Sequence, residues 1–200
     1  MQPILVAYGT TEGQTRKIAE FIAERLRIRG HRVDLVDTAT AAAEQVTPIY
    51  QGAILGGPVH QQQHPAALRH FIKLNHAWLK ALPLAFFSVS LSAALDDMDS
   101  RIEAQRTLNQ FIDEVELQPV AARCVAGALK YTQYDYFKRL VMTLVARQRG
   151  QSTDTSKDYE YTNWADVEAF VDEFLAAAGI PPAARGSTAS SGAPVGHRAA

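Results

Sequence analysis

The 200 residues carry 20 Lys and Arg against 21 Asp and Glu, a formal net charge of −1 at pH 7, so no surplus of positive charge singles out nucleic acid as the partner. With 47 % hydrophobic residues the chain can bury a sizeable core as one domain. Cys124 is the only cysteine, which excludes an internal disulfide and a CxxC metal site.

The amino-terminal Met1-Gln2-Pro3 leads straight into an apolar strand pattern, without the basic region and cleavage site of a signal peptide. No apolar run reaches the length of a membrane span, so the chain reads as cytoplasmic, with any membrane contact made from the surface. Ile4 to Tyr8 form the first strand-length run, followed by a helical stripe of Ile18, Phe21, Ile22 and Leu26. Gly30 stops that helix, and Arg32 to Val36 supply a second strand. A third covers Gly52 to Leu55 and ends in Gly56-Gly57-Pro58. Pro65 suits the first turn of the next helix, whose inward face is Leu68, Phe71, Ile72 and Trp78. Leu84 to Val89 are the fourth strand; Ile102, Leu108, Phe111, Ile112 and Val115 trace a third helix. Val120 to Leu129 read as a fifth strand, with Cys124 as a buried thiol within it, and Trp164, Val167, Phe170, Val171 and Phe174 as the inward face of the last helix.

Near-continuous apolar strands separated by helices predict a parallel sheet covered on both faces. Right-handed crossovers with five strands fit a doubly wound order such as 2-1-3-4-5. The predicted domain spans residues 1–180, with an insertion at 131–158. Residues 181–200 are Pro, Ala, Gly and Ser without periodicity and are expected to be a disordered tail.

In such a sheet, ligands bind beyond the carboxyl ends of the strands. Between the first strand and the first helix lie Gly9, Thr10, Thr11, Glu12, Gly13, Gln14 and Thr15. A terminal phosphate needs many short donors, and helix amides with threonine hydroxyls supply them without a cation. The alternative is that Thr10 or Thr11 only caps the helix. Placement directly after the first strand favours the phosphate. Neither a Gly-Lys-Thr nor a Gly-x-Gly-x-x-Gly pattern is present, which argues against a Walker loop and a standard dinucleotide site.

Tyr8-Gly9-Thr10-Thr11-Glu12-Gly13-Gln14-Thr15 resembles the phosphate loop of flavodoxins, with Glu12 where those proteins commonly carry a hydroxyl residue. The resemblance implies a flavodoxin-like three-layer α/β sandwich with FMN as cofactor. Glu12 to Arg16, Phe86 to Leu91, Ala126 to Tyr131, Thr153-Asp154-Thr155 and Tyr161-Thr162-Asn163-Trp164 together resemble the flavodoxin-type, quinone-dependent protoporphyrinogen IX dehydrogenases of haem synthesis. That resemblance spans residues 3–176 and implies oxidation of protoporphyrinogen IX with electrons passed to a membrane quinone. By analogy with flavodoxins, the flavin ring lies between Gly57, Pro58, Val59 and His60 on one side and Ser90, Leu91, Ser92 and Ala93 on the other. Neither loop offers a Trp or Tyr to stack on the ring. His60 and His64 are candidates for flavin or substrate contact, with solvated loop histidines as the default. No carboxylate or cysteine joins them at a ligand spacing, so no metal is expected.

Within the insertion, Phe137, Leu140, Val141, Leu144 and Val145 share one helical face, with Lys138, Arg139, Arg147 and Arg149 off it. Such a basic amphipathic helix over residues 137–149 suits an anionic membrane surface; packing on the domain with solvated charges fits the pattern as well. Lys130, Lys138 and Arg139 are also candidate partners for tetrapyrrole propionates. Two other functions fit parts of the sequence: an electron-transfer flavodoxin, which the basic insertion and balanced charge disfavour, and a membrane-associated FMN-dependent NAD(P)H:quinone reductase. No side chain declares itself as an acid or base catalyst.

Overall fold

Each of the five strand-length apolar runs contributes a strand to one parallel sheet. In the computed structural model, which describes residues 2–95, 97–129 and 159–182, the strands are β1 (Ile4–Tyr8), β2 (Val33–Asp37), β3 (Gly52–Pro58), β4 (Leu84–Ser90) and β5 (Ala121–Ala126). Their order is β2-β1-β3-β4-β5, every pair parallel. β1, β3 and β4 are buried at every position. This is what a strand covered on both faces demands, and why these three read as near-continuous apolar runs, interrupted in β4 by Ser88.

Alternate residues of β1 feed two cores. Ile4, Val6 and Tyr8 meet α1 (Gln14–Ile28) and α4 (Trp164–Ala177) through Ile18, Ile22, Phe170 and Phe174. Leu5 and Ala7 belong to the opposite core, built with α2 (Ala66–Leu79) and α3 (Met98–Glu114) through Leu68, Phe71, Leu108 and Phe111. The expected inward faces hold, with five exceptions. Ile102 is 49 % exposed, while Phe21, Trp78, Ile112 and Trp164 are half-buried. Trp164 leans on Phe21 at 4.9 Å between ring centroids and donates its indole N–H to Glu160 at 2.9 Å. Its polar edge thus stays at the surface, as an indole with a polar handle allows.

Two close approaches leave no room for a side chain. A Cβ on Gly56 would fall 2.2 Å from the Phe87 ring, and one on Gly57 would fall 2.7 Å from Leu68 Cδ2. The Gly-Gly pair therefore lets one strand pass between a buried phenylalanine and helix α2.

The run Val120–Leu129 does not stay one strand. Ser90 is the last residue of β4 to pair with β5, opposite Ala126. Gly127 then donates its N–H to the Ser90 carbonyl at 3.0 Å. Beyond it, β6 (Ala128–Leu129) leaves the sheet and pairs antiparallel with β7 (Tyr159–Glu160). Once β4 ends, only a new partner can satisfy the backbone. The predicted helix at 137–149, residues Lys130, Lys138 and Arg139, and positions 183–200 of the predicted tail lie outside the described residues. No described helix is long and apolar enough to cross a membrane.

Candidate cofactor site

The loop after β1 is shaped by its own short-range bonds. Gly9 donates its N–H to the Gly56 carbonyl at 2.9 Å, and the Gly13 amide donates to Thr10 Oγ1 at 3.1 Å. Gly13 adopts φ 93°, ψ −14°, a left-handed conformation that favours glycine. It is the N-cap of α1, yet no side chain caps the helix and no acidic residue sits in its first turn. The first amides of α1 thus keep their donors, and the positive end of the helix, free for an anion. The hydroxyl of Thr10 therefore braces the loop and does not cap α1 in the usual way. Arg16 pairs with Asp37 at 3.2 Å and Lys17 with Glu160 at 3.3 Å, so each cation of that first turn has a carboxylate beside it.

Beyond the carboxyl ends of β1, β3, β4 and β5 opens a cavity of about 380 Å³. Its phosphate-loop end is lined by Thr11, Glu12, Gln14 and Thr15. Pro58, Val59 and His60 line the β3 side, and Ser90, Leu91 and Ser92 the β4 side. The three segments singled out in the sequence thus meet at one place. Four of the singled-out residues do not reach the cavity wall. Thr10 and Gly13 shape the loop, Gly57 passes against Leu68, and Ala93 donates its N–H to Ser90 Oγ at 3.2 Å. Sequence reasoning missed Gln61 and Gln62 in the β3 loop, Glu103, Ala104 and Thr107 of α3, and Gly127 and Ala128 after β5. Gly127, a breaker within an apolar run, was the one local signal for any of them.

Gln14 is the link between distant parts of the wall. Its side-chain amide donates to Thr162 Oγ1 at 2.9 Å, and that hydroxyl donates to the Ala126 carbonyl at 2.7 Å. Among the described residues no Trp, Tyr or Phe lines the cavity; its apolar wall is Pro58, Val59, Val89 and Leu91 with small residues. Among the described residues no three or more His, Cys, Asp and Glu side chains are grouped to hold a metal ion.

His64 departs from the expectation of a solvated loop residue. It is 3 % exposed, with its ring 4.3 Å from Phe111 and 5.4 Å from Phe86 between centroids. Nε2 meets Ser88 Oγ at 3.0 Å, and Nδ1 has no partner. Burial, helped by the nearby Arg69 guanidinium, pushes its pKa down to about 4, so it is a neutral core residue at pH 7. The unfolded chain takes up a proton as pH falls below about 6.5, which the native state refuses until pH nears 4. Stability present at neutral pH is therefore lost across that window, by about 3 kcal/mol when complete. His64→Gln, which keeps a partner for Ser88, is expected to flatten this slope when urea midpoints at pH 7 and pH 4.5 are compared. An unchanged slope would mean that other groups carry it. Cys124 is half-buried with its thiol pushed up to about 11 by burial, so it is no nucleophile at neutral pH.

An uncapped, glycine-hinged helix terminus facing a cavity beyond the strand ends defines a binder of a phosphate-bearing cofactor. A model of the flavodoxin domain matches residues 5–156. The protoporphyrinogen IX dehydrogenase [quinone] of Leishmania major is 31 % identical over 189 residues, covering 92 % of this chain and 80 % of that protein. The Escherichia coli K12 protein of the same name is 28 % identical over 169 residues, covering 84 % and 92 %. The chain belongs to the flavodoxin domain family, in the branch that holds these dehydrogenases. It is an FMN-type flavoprotein oxidoreductase. Among solved structures, a short-chain flavodoxin associated with a bacterial microcompartment superposes with TM-score 0.54 at 11 % identity, covering 89 % of this chain and 99 % of that one. Flavodoxin 1 of Bacillus cereus gives 0.51 at 16 %, covering 87 % and 97 %. At these identities the likeness establishes the fold.

The cavity fits the cofactor of the family. Free helix amides and threonine hydroxyls suit a phosphate, and the cavity volume falls within the ~300–1,000 Å³ usual for small-ligand sites.

Proposed function

We propose that the chain oxidises protoporphyrinogen IX to protoporphyrin IX and passes the electrons to a membrane quinone, as a step of haem synthesis. The observation that carries this reading is the similarity to the Leishmania major dehydrogenase along nearly the whole chain, insertion region included. Forming the porphyrin removes six electrons and six protons from the macrocycle, so three quinones become three quinols for each porphyrin made. Bound FMN supplies two-electron redox chemistry; the protein supplies position and electrostatics.

In this reading Thr11, Thr15 and the free first-turn amides of α1, from Gln14 on, hold the phosphate, with Thr10 fixing the loop behind them through the Gly13 amide. Glu12 turns its carboxylate away from the phosphate, leaving backbone amides to carry the binding. Backbone groups of Gly57 to His60 and of Ser90 to Ala93 flank the ring. With no Trp, Tyr or Phe on the described wall, one ring face is left to the substrate. The basic amphipathic segment 137–149 brings this cytoplasmic enzyme to the anionic inner face of the membrane, where the quinone is. Lys130, Lys138 and Arg139 are further candidates for propionate contact.

The test is anaerobic incubation of the FMN-loaded protein with protoporphyrinogen IX and ubiquinone or menaquinone analogues. Porphyrin fluorescence that rises only with quinone is the expected result. Its absence, together with a flavin semiquinone that accumulates on reduction, would point to an electron shuttle. Reduction of quinone by NADPH without porphyrinogen would point to a reductase.

A further inference from the structure

A second cavity of about 220 Å³ adjoins the first along α3. Gln62, Glu103 and Thr107 line both, so the two share a wall. Gln61 and Gln62 stand at φ 50° and 62°, in the left-handed region, in a turn closed by paired amide bonds between His60 and Gln63 at 2.9 and 3.0 Å. Two successive non-glycine residues there are strained, and such strain collects at binding sites. The turn places the Gln62 side-chain amide 3.1 Å from Glu103 Oε1, to which it donates. That bond forms the sill between the cavities.

The α3 side of the second cavity is amphipathic in a particular order. Met98, Ile102 and Arg106 recur at i, i+4 and i+8 and so share one helix face. Met98 is 73 % and Ile102 49 % exposed. Ile102 and Arg106 both line the cavity, and Arg106 is exposed and makes no ion pair with any described residue. An apolar shelf thus leads to a free guanidinium, next to the cavity fitted to the flavin. Asp99 and Glu103 on the same wall are acceptors for N–H donors, and Glu103 already accepts from Gln62. A reduced tetrapyrrole has matching parts: an apolar ring edge, pyrrole N–H donors and two carboxylates.

We propose that this second cavity is the tetrapyrrole subsite and that Arg106 recognises a substrate carboxylate, an inference that rests on the function proposed above. Ile102 supports the ring edge, Asp99 and Glu103 face its N–H groups, and Arg106 sets which edge of the macrocycle points away from the flavin. The guanidinium fork suits a carboxylate better than an ammonium does.

The experiment titrates FMN-loaded protein with protoporphyrin IX and, in the same detergent, with its dimethyl ester, following fluorescence quenching. R106A is expected to weaken the free acid about tenfold and leave the ester unchanged, with R106K recovering part of the loss. I102D is expected to weaken both. In turnover, R106A raises KM for protoporphyrinogen IX more than it lowers kcat. Unchanged FMN affinity in R106A confirms an intact fold, as an exposed, unpaired side chain predicts. Equal affinity of wild type and R106A for the free acid, with wild-type turnover intact, would overturn the subsite and leave the function standing. Wild-type protein that neither binds nor oxidises the tetrapyrrole would overturn both.

Discussion

Gly13→Val is expected to weaken FMN binding about 100-fold while leaving riboflavin binding nearly unchanged. Gly13 sits at φ 93°, where a β-branched residue is forced out of its allowed region. The loop must then relax, at a local cost of about 1–2 kcal/mol if it stays put and a shift of the amides if it moves. Either way the Thr10 hydroxyl loses its hold on the Gly13 amide, and the first-turn donors of α1 no longer converge. Each charge-assisted bond to a phosphate is worth about 1.5–3 kcal/mol, so losing one or two gives the stated factor. Riboflavin has no phosphate and reports on the ring site alone. Gly13→Ala should fall between. Equal loss for both flavins would show that the ring pocket had been damaged, and unchanged FMN affinity would put the phosphate elsewhere.

The second large effect lies beneath the cavity. Phe87 is wholly buried and its ring occupies the space above Gly56. Phe87→Ala is expected to cost about 3–5 kcal/mol, the usual range for emptying an aromatic from a core. Gly56→Ala puts a methyl group 2.2 Å from that ring and should cost about 2 kcal/mol or more through overpacking. In the double variant the methyl enters the vacated space, so the two losses should fall short of their sum by about 2 kcal/mol. Urea midpoints of the four proteins measure this. Additive losses would show that Phe87 turns aside without strain, and that Gly56 serves some purpose other than clearance.

Both predictions depend on how a local pattern meets distant partners. The strands and the inward helix faces were legible in the sequence because burial imposes a pattern: β1, β3 and β4 are buried at every position and all but two serines of them are apolar or glycine, while every third or fourth residue is apolar in the helices. The loop after β1 was legible because its chemistry is local, a glycine and threonines at a helix terminus. Ile102 was misassigned to the core because hydrophobicity alone does not say whether a neighbour arrives; on α3 none does, and the residue lines a second cavity instead. His64, a candidate for flavin or substrate contact, was by default a solvated histidine because it stands in a loop. Its neighbours in space are Phe86 and Phe111.

The residues by themselves determined the doubly wound sheet, the glycine- and threonine-rich loop at the start of α1 and, through resemblance, the flavin. Tertiary structure decided the rest of the cavity wall: Glu103 and Thr107 from α3, and Gly127 and Ala128 where β4 runs out of partners; behind the wall, Gln14 reaches Thr162 across 148 positions of sequence. Periodicity reports which face of an element is buried, but carries no record of which other element covers it. That is settled only when crossovers bring the carboxyl ends of β1, β3, β4 and β5 to one edge, where short local bonds and very long-range ones meet around the same cavity.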